Sequence, residues 1–170
     1  MITISEIREQ GIAVTWTLLS LCYGCRAILD GGGWQPRFVS AEDVVAYAAN
    51  RIISEDGDAL LELACLRPAP GDEEVIEELL GRLSDAERAD RCRELRKFRA
   101  LYVWKNLPGP ELDNTRGIIA LVELWVQFDF PAGTPGHGLN HVSYSDADYA
   151  RLRRRSELWV QAELRTVRSC

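Results

Sequence analysis

Catalytic signatures are what this sequence most conspicuously lacks. Among its 170 residues there are only two histidines, His137 and His141, so general-base chemistry near neutral pH has two imidazoles to draw on. No nucleophile elbow, Walker loop or dinucleotide fingerprint occurs. The run Gly31-Gly32-Gly33 follows a helical pattern, where a phosphate cradle would follow a strand. A basic footprint is missing as well: the formal charge is −6, and from Ala41 to Glu94 there are 15 acidic residues against 6 arginines. General nucleic-acid binding needs the opposite sign of charge and is excluded as an expectation.

Long apolar runs are also absent. Ile12 to Leu29 comes nearest, but Thr15, Thr17, Ser20, Gly24 and Arg26 interrupt it, and Glu6, Arg8 and Glu9 stand before it in place of a positive region. A signal peptide or membrane span is therefore not expected, and a cytoplasmic location is. The five cysteines, Cys22, Cys25, Cys65, Cys92 and Cys170, are an odd number and mostly sit in helical patterns, so free buried thiols in a reducing compartment are expected rather than a disulfide frame. There is no low-complexity tract, tandem repeat, internal linker or strand-helix-strand alternation.

What is present is a succession of punctuated helical patterns. Ser5 is a candidate cap for a first helix ending at Gly11, and a second pattern runs from about Thr15 to Leu29. Ser40, followed by Glu42 and Asp43, opens a helix with a face of Val44, Val45, Ala48, Ala49 and Ile52. A short helix through Leu60 and Leu63 must end before Pro68. After Asp72, Val75, Ile76, Leu79, Leu80 and Leu83 share one side while Glu73, Glu74, Glu77 and Glu78 share the other. Ser84 with Glu87 has the spacing of a capping box for a long helix reaching Leu107 ahead of Pro108-Gly109-Pro110, with Phe98 to Trp104 as its central, apolar half. Gly117 to Phe130 is the most apolar segment; its length and neighbours favour helix over strand. Ser145 is a candidate cap for a last helix carrying Tyr149, Leu152, Trp159 and Val160 on one side. The expected fold is all-α, a single domain over residues 1–170 built as an irregular multi-helix array or bundle, with a short α-solenoid of helix pairs as the alternative.

Two constellations deserve a chemical reading. Cys22-Tyr-Gly-Cys25 and His137-Gly-Leu-Asn-His141 each have permissible metal-ligand spacing, but more than a hundred residues separate them, unlike a compact zinc finger. Core packing accounts for the cysteines and a solvated loop for the histidines; a metal or enzymatic site on Cys22, Cys25, His137 and His141 is kept as one alternative, and a structural or scaffold role through an exposed helix face as another. No metal or other cofactor is expected. The second constellation is the acidic series Glu73, Glu74, Glu77, Glu78, Asp85, Glu87 and Asp90. It reads either as solubilising charge or as a face for a basic partner, because concentrated charge of one sign speeds association and suppresses wrong partners.

Several short segments occur in a suggestive order: Tyr23-Gly24, Ser40-Ala-Glu-Asp-Val-Val-Ala-Tyr-Ala48, Leu61-Glu-Leu-Ala64, Lys97-Phe-Arg99, then Glu123 and Phe128-Asp-Phe-Pro131. In this the chain resembles a domain-of-unknown-function family of bacterial proteins whose members stand as presumed immunity proteins beside polymorphic or contact-dependent toxins. The resemblance covers roughly Thr15 to Pro131, and the segment from Ala132 to His141 departs from the family pattern. It brings no catalytic residues. It implies a role, the neutralisation of a cognate toxin, with the acidic middle of the chain meeting a basic toxin surface.

Overall fold

Local side-chain chemistry sets the helix starts in the computed structural model, which describes residues 1–24, 37–137, 139 and 148–168. Thr3, rather than Ser5, caps α1 (Ile4–Glu9): its hydroxyl accepts from the Glu6 N–H, and the Glu6 carboxylate accepts from the Thr3 N–H, so two orphan donors are satisfied at once. Thr15 caps α2 (Trp16–Tyr23) and Ser40 caps α3 (Ala41–Arg51), each through its hydroxyl. Then come α4 (Asp58–Cys65), which stops before Pro68 as its sequence requires, and α5 (Glu73–Glu87). The chain continues with α6 (Arg91–Asn106), α7 (Asn114–Val126) and α8 (Tyr149–Arg168). Eight helices and no strand occur among the described residues, so the fold is the all-α multi-helix array that the sequence led us to expect. The apolar segment after Gly117 is helical, opened by Asp113, whose carboxylate accepts from the Arg116 N–H. Gly31-Gly32-Gly33 and the Ser145 cap lie outside the described residues; Asp148 accepts from the Arg151 N–H at the start of α8.

The break between α5 and α6 corrects the expected capping box. Ser84 and Glu87 lie inside α5, because both side chains are committed to a distant partner. The Ser84 hydroxyl donates to Thr17 Oγ1 at 3.0 Å, and one Glu87 oxygen accepts from the Thr17 N–H and hydroxyl at 3.0 and 3.2 Å. The helix ends instead at Arg88, which is left-handed at φ 53°, and Asp90 starts α6 by accepting from the N–H groups of Cys92 and Arg93.

The described residues form two compact units, residues 1–24 with 37–98, and residues 99–137 with 139 and 148–168. In the first unit α2 packs on α5, α3 on α4 and α4 on α5. Ile76, Leu79 and Leu80 are buried from α5, and Val44, Tyr47 and Ala48 from α3. Two expected core positions move outward. Ala49 is exposed while Tyr47 takes the inner place, its ring edge-on to Trp16 at 5.0 Å and its hydroxyl donating to the Val14 carbonyl. Val75 is 41% exposed, since it lies about 100° round the helix from Ile76, at the edge of the buried stripe. Burial raises the Tyr47 phenol above its ordinary pKa, with the charge of Arg51 opposing.

In the second unit α7 packs on α8, and Tyr149 is its clasp. Its N–H donates to Asn114 Oδ1 at 2.8 Å, its hydroxyl donates to the carbonyls of Gly109 and Pro108 at 2.6 and 3.1 Å, and its ring lies over Gly117. A Cβ at position 117 would stand 2.4 Å from that ring, so glycine is required there by close approach. Gly117→Ala is expected to cost about 1–3 kcal/mol through overpacking, visible as a lowered Tm with helix content at low temperature unchanged. An unchanged Tm would show that α8 does not seat on α7 this way.

Candidate functional site

The acidic series resolves into two groups once α5 is in place. Ile76, Leu79, Leu80 and Leu83 follow i, i+3, i+4, i+7 spacing and define the inner side of the helix. At about 100° per residue, Glu74, Glu78 and Asp85 fall on the stripe opposite that side, and all three are exposed. Glu87, at the last turn, falls on the inner side itself, which is why it reaches Thr17 although part of it stays wet.

Four of the seven carboxylates serve the fold. Glu73 accepts from the Gly71 N–H at 3.0 Å and so closes the turn into α5. Glu77 pairs with Arg37, whose guanidinium carbon lies 4.0 Å from the centroid of the Tyr23 ring and which also donates to the Tyr23 carbonyl at 3.0 Å. Glu87 holds the start of α2, and Asp90 caps α6. Asp72, immediately before α5, makes no side-chain cap bond and turns its carboxylate back to accept from the Ala69 N–H. Glu74, Glu78 and Asp85 carry no hydrogen bond or ion pair among the described residues, and they form the candidate site: three water-facing carboxylates on one line of a helix fixed from its other sides.

Tyr23 lies behind this face and is fully buried, its hydroxyl without a hydrogen-bond partner among the described residues. Burial raises its pKa, with Arg37 opposing and the charges of Glu73, Glu77 and Glu42 adding to the rise, so the phenol stays neutral at physiological pH. Arg37 thus pairs with a carboxylate on the flank of α5, while Glu74, Glu78 and Asp85 face water.

The cysteine and histidine expectations are met unevenly. Cys22 is buried, but Cys65 and Cys92 are exposed, because they occupy the last turn of α4 and the first turn of α6, where little packs over them. His137 is exposed, as a loop histidine should be, whereas Cys25 and His141 lie outside the described residues. Among the described residues no cluster of three or more His, Cys, Asp or Glu side chains has the arrangement of a metal site. No helix among them is long and apolar enough to cross a membrane.

One polar cluster was missed altogether by the sequence reading. Glu94 and Lys97 are both 3% exposed, joined by a 2.7 Å bond from Lys97 Nζ to Glu94 Oε1. Thr15 donates its hydroxyl to the other Glu94 oxygen at 2.7 Å while accepting from the Leu18 N–H, so the α2 cap and the buried ion pair are a single network. The signal was available: Glu94 lies at i−4 and i−7 from the core residues Phe98 and Leu101, in their own stripe.

The described residues define an all-helical protein. The chain belongs to the family of uncharacterized proteins conserved in bacteria (DUF2247), whose profile matches residues 4–164. No curated protein and no solved structure matches it.

Proposed function

We propose that this chain is a non-catalytic binding protein of the cytoplasm, an immunity protein that neutralises a cognate bacterial toxin by covering a basic active surface with the outward stripe of α5. One observation carries the reading. Glu74, Glu78 and Asp85 line up on the side of α5 opposite its buried residues, while the remaining carboxylates of the series are spent on internal bonds. Like charges along one exposed stripe repel one another. They create a field that draws in a positive surface and orients it. The helix beneath them is held to α2 through Thr17 and to Arg37 through Glu77, so docking need not order it, and pre-organisation of this kind preserves affinity. The toxin neutralised is one whose substrate is anionic, since such toxins carry cationic active surfaces.

Co-production of the chain with the toxin-like protein encoded beside it provides the test. A stable complex and survival of the producing cells are expected. Absence of both complex and protection would overturn the proposal.

A further inference from the structure

The outward side of α7 carries residues ill suited to water. Its inner side is fixed by Gly117, Ile118, Leu121, Leu124 and Trp125, all buried. At about 100° per residue, Thr115, Ile119, Val122 and Val126 fall on the opposite side, spaced 4, 3 and 4 residues apart. Ile119 is 42% and Val126 52% exposed, Thr115 is exposed and Val122 is half-buried. The corresponding outward lines of α5 and α8 are charged, with Glu74, Glu78 and Asp85 on the one and Arg151, Arg154 and Arg155 on the other. A lone exposed valine is ordinary, but an apolar line with alternating three- and four-residue spacing is the seam along which two helices pack.

The charges beside this line select its partner. Arg116 and Glu123 lie on one flank of it, seven residues or about two turns apart, and both are exposed. Glu123 has no hydrogen bond or ion pair among the described residues, and the Arg116 side chain has one long, solvent-exposed contact, from its Nε to Asp113 at 3.4 Å. When such a helix packs antiparallel on a copy of itself about a two-fold axis, each flank faces its own counterpart with the chain direction reversed. Arg116 of one copy then meets Glu123 of the other, and the same pair forms again across the axis. In that arrangement Ile119 lies against Val122 of the second copy and Thr115 against its Val126. Parallel packing would put the two flanks on opposite sides of the seam and leave both charges unmatched.

We propose that the outward line of α7 is the contact surface of a homodimer, in which α7 packs antiparallel against α7 of a second copy. One helix pair is a small interface, so the dimer is reversible and concentration-dependent rather than permanent. The proposal rests on α7 alone and is independent of what the acidic stripe of α5 binds.

Sedimentation velocity or light scattering of the full chain, over a concentration series reaching the millimolar range, tests this. A monomer–dimer equilibrium is expected. Ile119→Glu, a change at an exposed position, should leave the circular dichroism spectrum unchanged and abolish the dimer, since it sets two carboxylates into the seam. Arg116→Glu places like charges at both flank contacts and should weaken dimerisation about tenfold. Arg116→Glu combined with Glu123→Arg restores opposite charges and should recover the affinity, as only a reversed pairing of these two positions allows. The charge swap, made wholly on exposed side chains, decides the matter if Ile119→Glu does not fold. A monomer at every concentration, a dimer that survives Ile119→Glu, or a double swap no tighter than the single reversal would overturn the proposal.

Discussion

Replacing Lys97 with methionine is expected to destabilise the protein by about 3–5 kcal/mol, the range for breaking a buried ion pair from one side. The Lys97 and Glu94 side chains are each 4% exposed, so the carboxylate left behind has neither water nor a cation and keeps only the Thr15 hydroxyl. A loss of that size is a large fraction of the 5–15 kcal/mol by which domains are ordinarily stable. It will show as a lower urea midpoint followed by circular dichroism. The double variant Glu94→Leu with Lys97→Met removes both charges at once and should recover most of the loss, because desolvating the pair costs about as much as the attraction returns. Recovery separates the effect of an orphaned charge from that of altered packing. If Lys97→Met unfolds at the wild-type midpoint, Glu94 and Lys97 are not enclosed together.

Reversing the outward stripe should have the opposite profile, a small effect on stability and a large one on association. The variant Glu74→Lys, Glu78→Lys, Asp85→Lys changes three exposed side chains with no hydrogen-bond or ion-pair partner among the described residues, so each substitution should alter stability by no more than about 0.5 kcal/mol. On the proposed function, association with a cognate toxin should slow by roughly 10- to 1000-fold at low salt, the range over which steering fields act. Most of the difference should vanish as added salt shortens the screening length. Stopped-flow or surface-plasmon measurements at two ionic strengths give the readout. An association rate that is insensitive both to the reversal and to salt would remove the electrostatic basis of the proposed function.

Much of the fold was legible because helices are punctuated locally. Ser40, Pro68 and Pro108 marked their boundaries through bonds or clashes within a few residues, and the inner stripe of α5 followed from its periodicity. What escaped were partnerships over long sequence distance. Ser84 and Glu87 have the spacing of a capping box, but Thr17, about seventy positions away, competes for both side chains and wins. Thr15 and Glu94 are 79 positions apart, and a helical wheel assigns a glutamate to water unless its distant partner is known. The candidate site was legible in the same partial way. The wheel found the acidic side of α5, but only the folded chain separates Glu74, Glu78 and Asp85 from Glu73, Glu77, Glu87 and Asp90, because the sorting depends on Gly71, Arg37, Thr17 and the first turn of α6.

Carbodiimide labelling of surface carboxylates, read residue by residue by mass spectrometry on the free chain and on its complex with the proposed toxin partner, addresses the docking face most directly. Labelling of Glu74, Glu78 and Asp85 should fall sharply in the complex, while that of Glu9 and Glu111, exposed and remote in sequence from α5, stays the same. A complex in which those three carboxylates label as freely as before would show that the toxin sits elsewhere and would contradict the account.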